Sequence, residues 1–294
     1  MINSKIVLQA TGMHCDISSV YGIGDLCAQH APTILSYITR PELIPALMIN
    51  KRITHVFCSD TLSRLLPDGV TPIVVKDPTW AFFSVVDFLA CSRSFDISKI
   101  ASSAHTDGSY IAPKGVLIEA NVNLEPFCSI RESTTIGKNT IVRSGAALGL
   151  DTFQHQKTKY GLISPRHDGS LVIGNNVEIG AHAVVSRGFS YRDTVIADDV
   201  KIDCNVSISH GVRIGKGSII CAGVLILGHS LIGENVFIGP GAVLRNRIVI
   251  EDRARVSIGS VVTRNVSMDE TVTGNFAVPH EAWISFMKSI SSLP

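Results

Sequence analysis

The chain has almost no net charge. Its 26 lysines and arginines against 25 aspartates and glutamates leave a formal charge of +1 over 294 residues, too little for the basic footprint that a nucleic-acid partner requires. It also lacks any Cys-x-x-Cys pair. The seven cysteines, Cys15, Cys27, Cys58, Cys91, Cys128, Cys204 and Cys221, are scattered and odd in number, so neither a disulfide framework nor a zinc site is indicated, and a reducing cytoplasm fits them. No apolar run approaches the roughly 20 residues of a membrane span. The opening Met1-Ile2-Asn3-Ser4-Lys5-Ile6-Val7 has no signal-peptide layout, so a cytoplasmic location without a membrane span is expected. A hydrophobic content of 45% is enough for one or two buried cores.

What the sequence does have is a strict period of six. Consecutive hexapeptides run from Ile196 to Ser267, opening on Ile196, Ile202, Ile208, Ile214, Ile220, Ile226, Ile232, Ile238, Leu244, Ile250, Val256 and Val262. Four residues after each comes a small or β-branched residue, such as Val200, Val206, Val212, Ser218 and Val224. Pairs two apart, such as Val206 and Ile208, share one side of a short strand. Between them lie turn residues such as Gly215-Lys216-Gly217 and Gly239-Pro240-Gly241. Three flat sides close one coil, and residues one coil apart stack at about 4.8 Å. The expected fold is therefore mainly β, a parallel β-helix over residues 101–272. The same phase runs upstream through Ile118, Leu124, Ile130, Ile136, Val142 and Leu148, then through Ile173, Ile179 and Val185.

Two interruptions break the repeat. One is the polar insertion of residues 149–172, with Phe153, His155, Tyr160, Arg166 and His167; the other is a longer turn near Phe189 to Asp193. Insertions in a solenoid leave one face and often carry ligand sites, a tolerated surface loop being the alternative. Residues 1–100 lack the hexad and read as a small α/β domain. Thr54 to Cys58 and Thr71 to Val75 are expected as buried strands. Asp77 and Pro78 have the types that open a helix, and Trp80, Phe82, Phe83, Val85, Val86 and Leu89 give that helix an apolar face. Residues 273–294 form a tail whose helix, with Trp283, Phe286 and Met287, is expected to plug the last coil.

Two positions in the repeat carry candidate chemistry. His210 is the third residue of its hexad, so it projects from a corner of the prism, and an imidazole titrating near neutrality suits proton removal from an amine. One coil later the same column holds Gly228, whose N–H is open to an approaching ligand, although turn geometry alone also calls for glycine. The column continues through Asn246 to Arg264. With Arg245, Arg247, Arg253 and Arg255 nearby, the last coils present a basic corner that could hold a phosphate or an acidic partner, or simply be solvated. His182 and His229 read as surface residues, His229 being also a pocket candidate because it adjoins Gly228, and no histidine set suitable for a metal is spaced along the coils.

The layout resembles the UDP-3-O-(3-hydroxyacyl)glucosamine N-acyltransferase family of lipid A biosynthesis. The resemblance is carried by the V-V-K-D-P strand end before an aromatic helix and by the run from Ile173 to Ala181. It continues through Arg187-Gly188, Asp193-Thr194 and Ile202-Asp203 to the stretch Ile208-Ser209-His210-Gly211-Val212-Arg213-Ile214-Gly215, and it is seen again at Gly274, Pro279 and Trp283. It implies left-handed coiling, a homotrimer with active sites between subunits, a nucleotide-linked amino sugar as acceptor, and acyl carrier protein or acyl-coenzyme A as thioester donor, with no bound cofactor and no metal. His210 falls on the family's catalytic histidine, and Gly228 on the glycine whose N–H steadies the oxyanion. By the same resemblance Asp203, Phe153, Arg247, Tyr37 and Arg40 are substrate-binding candidates, to which the column adds Asn246, and the basic corner makes Arg245 and Arg264 the donor-binding candidates, for a pantetheine phosphate or an acidic carrier protein; Asp203 could equally be a turn residue and Phe153 a packing one.

The sequence also departs from the family. Where the family gathers aromatic and amide side chains around uracil, this chain has Tyr37, Arg40 and Leu43, and Leu43 cannot stack as an aromatic does. The family's second pocket histidine falls on Arg247, a permanent cation. Three readings follow: a lipid A type N-acyltransferase, a short-chain acyl-coenzyme A N-acyltransferase of a nucleotide amino sugar for surface polysaccharide, and a non-catalytic solenoid scaffold.

Overall fold

The computed structural model describes the chain apart from residues 18, 107, 191, 275, 276 and 292–294 and the side chain of Ser291, so parts of the tail over 273–294 lie outside the described residues. From Lys99 to Val272 the chain winds into a three-sided parallel β-helix, each side a sheet of 8 parallel strands, with one register shift between Leu148 and Leu150. On the first face Arg213–Ile214 pairs with Leu231–Ile232, on the second Lys201–Ile202 pairs with Ile219–Ile220, and on the third Ser207–Ile208 pairs with Leu225–Ile226. The hexad explains this directly. Ile208, Ile214, Ile220, Ile226 and Ile238 are essentially fully buried and stack in vertical columns, each contributing roughly 1.5–3 kcal/mol of burial free energy. The residue before each, such as Arg213 or Ile219, faces outward, as a period of two demands.

The corners have one backbone device. Every sixth residue from Asn205 through Gly211, Gly217, Gly223, His229, Asn235 and Gly241 to Arg247 has φ between 55° and 69°, the left-handed region favoured by glycine and asparagine. His229 and Arg247 occupy it as well, His229 with a milder preference for it and Arg247 with none. Both therefore take a corner conformation dictated by the stack around them. The first strand, Lys99–Ile100, joins the first face, so the solenoid begins slightly before residue 101.

The N-terminal domain holds a parallel sheet of β1 (Gly22–Ile23), β2 (Ile34–Tyr37), β3 (Ile53–Cys58) and β4 (Thr71–Val74), in that order. The helices are α1 (Ser4–Thr11), α2 (Ile44–Ile49), α3 (Asp60–Ser63) and α4 (Pro78–Cys91). Asp77 caps α4 by accepting the Trp80 N–H at 2.9 Å, with Pro78 in its first turn, and Phe82, Phe83, Val85 and Val86 are buried against the sheet. β3 is buried as expected. β4 is not: only Ile73 is buried, because β4 is the sheet's edge, the place where Pro72 is tolerated.

The polar insertion folds into a hairpin, Gln156–Thr158 against Gly161–Ile163, that straps the solenoid to α4. The Lys159 N–H donates to Asp77 at 2.5 Å and its Nζ to the Lys76 carbonyl at 2.8 Å. The Tyr160 ring lies 4.9 Å from Trp80, and the Arg166 N–H donates to Asp87 at 2.8 Å. Phe189, from the longer turn, stacks on Phe83 at 6.1 Å and joins the N-terminal core. The tail helix α5 (His280–Ser291) does not plug the last coil. Trp283, Phe286 and Met287 remain exposed, so the helix lies away from the apolar interior it was expected to cover. All seven cysteines are free thiols, and among the described residues no helix is long and apolar enough to cross a membrane.

Candidate functional site

Both interruptions leave the prism from the same edge, the one between its third and first faces. The insertion lies between Ala147–Leu150 and Leu171–Ile173, and the longer turn between Val184–Ser186 and Thr194–Ile196. His210 sits on this edge. The two excursions and the N-terminal domain thereby wall off a cavity of about 640 Å³, lined by His210, Gly228, His229, Asn246 and Arg247 from the coils, Thr152 and Phe153 from the insertion, and Asp25, Tyr37, Phe82 and Phe83 from the first domain.

His210 and Gly228 meet within this cavity. The imidazole rises one coil so that a Cβ added at Gly228 would lie 2.8 Å from His210 Nε2 and 2.9 Å from Cε1, closer than carbon and nitrogen can pack. Among the described residues the Gly228 N–H donates to no protein acceptor. The expectation of a histidine exposed at a corner needs correction: the excursions cover His210, leaving it half-buried. His229 is corrected further. It is buried, its ring centroid 4.8 Å from that of His210, and it packs so tightly that a Cβ on Gly211 would lie 2.4 Å from its Nδ1.

A second imidazole reaches the first through a hydroxyl. His210 Nδ1 is 2.7 Å from Thr152 Oγ1, which is 2.7 Å from His167 Nε2; the Thr152 N–H donates to that same Nε2 at 3.2 Å. His167 is nearly fully buried, with Nδ1 3.8 Å from Asp151 Oδ1. The same carboxylate oxygen accepts from Arg187 Nε at 2.7 Å, and Arg187 also pairs with Glu132 at 3.2 Å. Burial holds His210 and His167 well below the usual imidazole range, each at about 4, with the Arg247 charge adding to the effect on His210. For His229 burial, then His210 and Arg247, lower it to about 2. All three are neutral at pH 7, so each offers a lone pair.

The remaining predicted residues divide. Asn246 and Arg247 line the cavity, Arg247 bonded to Asp25 at 2.5 Å, and Tyr37 lines it against Phe82 at 4.5 Å between ring centroids. Burial, then Asp25, raises the Tyr37 phenol above its ordinary value, so it stays a neutral donor. Phe153 stands at the rim, 93% exposed, its ring 4.3 Å from His155. Arg40 is exposed at the start of the short helical turn Pro41–Leu43 and does not line the cavity. Asp203 lies on the edge between the second and third faces, in a groove with Glu125, Arg143 and Cys204, where its carboxylate accepts the Cys204 N–H at 2.7 Å. Within one chain it is not beside His210. Arg245 and Arg264 are exposed on the last coils, Arg245 reaching toward the Thr263 carbonyl at 3.5 Å. No cluster of three metal-ligating side chains occurs among the described residues.

The hexad and its stacking made His210 and Gly228 visible in the sequence. Thr152, the inward role of His167, and Asp25 were missed, while His229 lines the cavity as its place beside Gly228 allowed. Thr152 and His167 are brought together by a hairpin whose docking on α4 leaves no periodic signal. Phe82, Phe83 and Phe189 read as core, and they are, but they also form the cavity's apolar wall.

Comparison with known proteins agrees with the geometry. The model of the bacterial transferase hexapeptide (six repeats) matches residues 193–228, and that of the hexapeptide repeat of succinyl-transferase matches 231–264. The chain is 37% identical over 150 residues to a probable mitochondrial UDP-3-O-acylglucosamine N-acyltransferase 2 of Arabidopsis thaliana, covering 51% of this chain and 49% of that protein. It is 34% identical over 167 residues to UDP-3-O-acylglucosamine N-acyltransferase of Bordetella pertussis, covering 54% and 45%. The chain thus spans about half the length of the curated relatives it matches. A crystal structure of UDP-N-acetylglucosamine acyltransferase superposes with a TM-score of 0.51 at 22% identity, over 68% of this chain and 81% of that one, which shows the fold. These findings bear out the resemblance read in the sequence: the chain is a left-handed parallel β-helix of hexapeptide repeats, similar to the UDP-3-O-acylglucosamine N-acyltransferases.

Proposed function

We propose that the protein is an N-acyltransferase that moves an acyl group from a thioester to the amino group of a nucleotide-linked amino sugar. The observation that carries this reading is the contact of His210 Nε2 with the bare backbone of Gly228 at the wall of a cavity. The attacking amine gives a proton to His210 Nε2 as its nitrogen bonds to the thioester carbonyl carbon. The carbonyl oxygen, now carrying charge, accepts from the Gly228 N–H, which has no competing acceptor among the described residues. The C–S bond then breaks, and the thiolate takes up the proton held on His210. No covalent enzyme intermediate is needed.

The rest of the cavity suits such an acceptor. Tyr37, backed by Phe82 and Phe83, offers an aromatic wall for a base or sugar face, and Asn246 and the Arg247–Asp25 pair offer polar groups for hydroxyls or phosphate. The donor is a thioester on acyl carrier protein or coenzyme A, for which Arg245 and Arg264 supply exposed positive charge on the last coils. Trimeric assembly belongs to the same reading, since it would set the Asp203 edge of one copy near the His210 edge of another. A short-chain coenzyme A donor is favoured by one feature, Arg247 in place of a second pocket histidine. A scaffold without chemistry would have no use for a neutral imidazole beside an open N–H, backed by two buried ones.

The test is a screen of acyl donors against nucleotide amino sugars with mass detection of the amide product. Activity is expected from the wild type, and His210→Ala should reduce kcat by about 10²–10⁴ while its thermal unfolding stays unchanged. Absence of product from every pair, or a fully active His210→Ala, would overturn the proposal.

A further inference from the structure

We infer that Thr152 and His167 form a positioning relay that fixes the tautomer of His210, holding the proton on Nδ1 so that Nε2 always presents its lone pair to the cavity. The inference rests on the acyl-transfer reading for its consequence, though not for its geometry.

The hydrogen-bond accounting has a single consistent solution. The Thr152 backbone N–H can only donate, and it donates to His167 Nε2 at 3.2 Å, so that nitrogen carries no proton. The neutral His167 ring then holds its proton on Nδ1, the nitrogen that faces Asp151 Oδ1 at 3.8 Å and has no hydrogen-bond partner among the described residues. With Nε2 unprotonated, the 2.7 Å contact to Thr152 Oγ1 requires the hydroxyl to donate toward His167. The hydroxyl oxygen can therefore meet His210 Nδ1 at 2.7 Å only as an acceptor. His210 is left protonated on Nδ1 and basic on Nε2, the nitrogen beside Gly228. The opposite tautomer would bring two lone pairs together at 2.7 Å on one side of Thr152.

The relay is rigid because its far end is anchored. His167 packs against Phe189 with ring centroids 4.5 Å apart and the planes tilted by 33°, and Asp151 is held by Arg187 at 2.7 Å. A buried neutral histidine otherwise divides its proton between two nitrogens, and the molecules with Nε2–H cannot accept the amine proton. An acceptor that keeps one tautomer also aligns the ring for the proton it must take.

The test combines a spectroscopic readout with kinetics. In long-range ¹H–¹⁵N correlation spectra of histidine-labelled protein at pH 7, His210 should show an unprotonated Nε2. Thr152→Val, which keeps the shape and removes the hydroxyl, should give mixed tautomers and a roughly tenfold lower kcat, with KM changed by less than about twofold. Thr152→Ser should recover most of the loss. His167→Phe, which keeps the packing on Phe189, should reproduce the Thr152→Val defect, and the double variant should be no worse than either one, as for residues acting as a unit. A single Nε2-unprotonated tautomer retained in Thr152→Val, or in His167→Phe should the first variant fail to fold, would overturn the inference. So would wild-type kcat in either variant. A wild type that shows the expected tautomer but makes no amide would refute the acyl-transfer reading and leave the relay standing.

Discussion

Replacing Gly228 with alanine tests the central contact with a single carbon atom. The added Cβ would sit 2.8 Å from His210 Nε2, 2.9 Å from Cε1 and 3.4 Å from Cδ2. Ordinary packing begins near 3.5 Å, so the ring must retreat by roughly 0.7 Å or swing away, stretching its 2.7 Å bond to Thr152. Gly228 does not need a left-handed backbone, so alanine is not strained there. The overpacking cost of about 1–3 kcal/mol is partly offset by about 0.4–1 kcal/mol from the less flexible unfolded chain, and the variant should fold. Activity should not survive as well. Misplacing a catalytic group by such a distance costs on the order of 10²-fold, about 2.7 kcal/mol of barrier, and the methyl also fills the space through which an amine reaches Nε2. The assay is kcat/KM for amide formation beside a thermal melt, with Gly274→Ala, whose Cβ would meet nothing within 4 Å, as the control. A Gly228→Ala enzyme within about threefold of wild type would show that the reaction does not pass between that imidazole and that glycine.

Two further outcomes follow from the same geometry. Because burial lowers the folded-state pKa of His167 from 6.5 to about 4, the unfolded chain binds the proton more readily between those values. Stability is therefore complete above pH 6.5 and falls as pH drops toward 4, by on the order of 3 kcal/mol for this group. Urea titrations from pH 7 to 4 should show a slope that His167→Phe reduces by about one proton, and an unchanged slope would contradict the burial argument. Tyr160→Ala removes a ring contact to Trp80 at 4.9 Å, worth about 0.5–1.5 kcal/mol. Limited proteolysis should then cut the insertion sooner and kcat should fall as Thr152 loosens, while the solenoid melts at the wild-type temperature; unchanged cleavage would show that the strap is held elsewhere.

The coils were legible in the sequence because each one repeats the same physical demand. Ile208, Ile214 and Ile220 are interior for one reason, a period of six with two residues per side, and that arithmetic also placed His210 under Gly228. It failed where a segment's position depends on something it touches rather than on its own pattern. Thr71 to Val75 is apolar enough for a buried strand, yet it became an edge because no further strand covers it. Trp283, Phe286 and Met287 have the spacing of a packed face, yet the helix carrying them lies exposed. His229 read as a surface residue because the turn that carries it is a corner, and corners are exposed unless something lies over them; here Phe189, the insertion and the first domain do.

The division between legible and hidden residues matches a division of labour in the molecule. A bare hexapeptide corner can present an imidazole next to a free N–H, since stacking sets their separation, but in water that imidazole would share its proton between two nitrogens and its charge with solvent. The insertion changes both conditions at once. It is anchored on α4 through Asp77, Trp80 and Asp87, and this anchoring carries Thr152 to Nδ1 and places His167 behind it. The lowered proton affinity of the covered His210 would make it a weaker base than a solvated one, the usual cost of burial. The compensation is that the resting ring is neutral at pH 7 and faces the right way. For a step whose proton passes on to a departing thiolate, a base that readily releases what it has taken is the better fit, and the strap between the two domains supplies it.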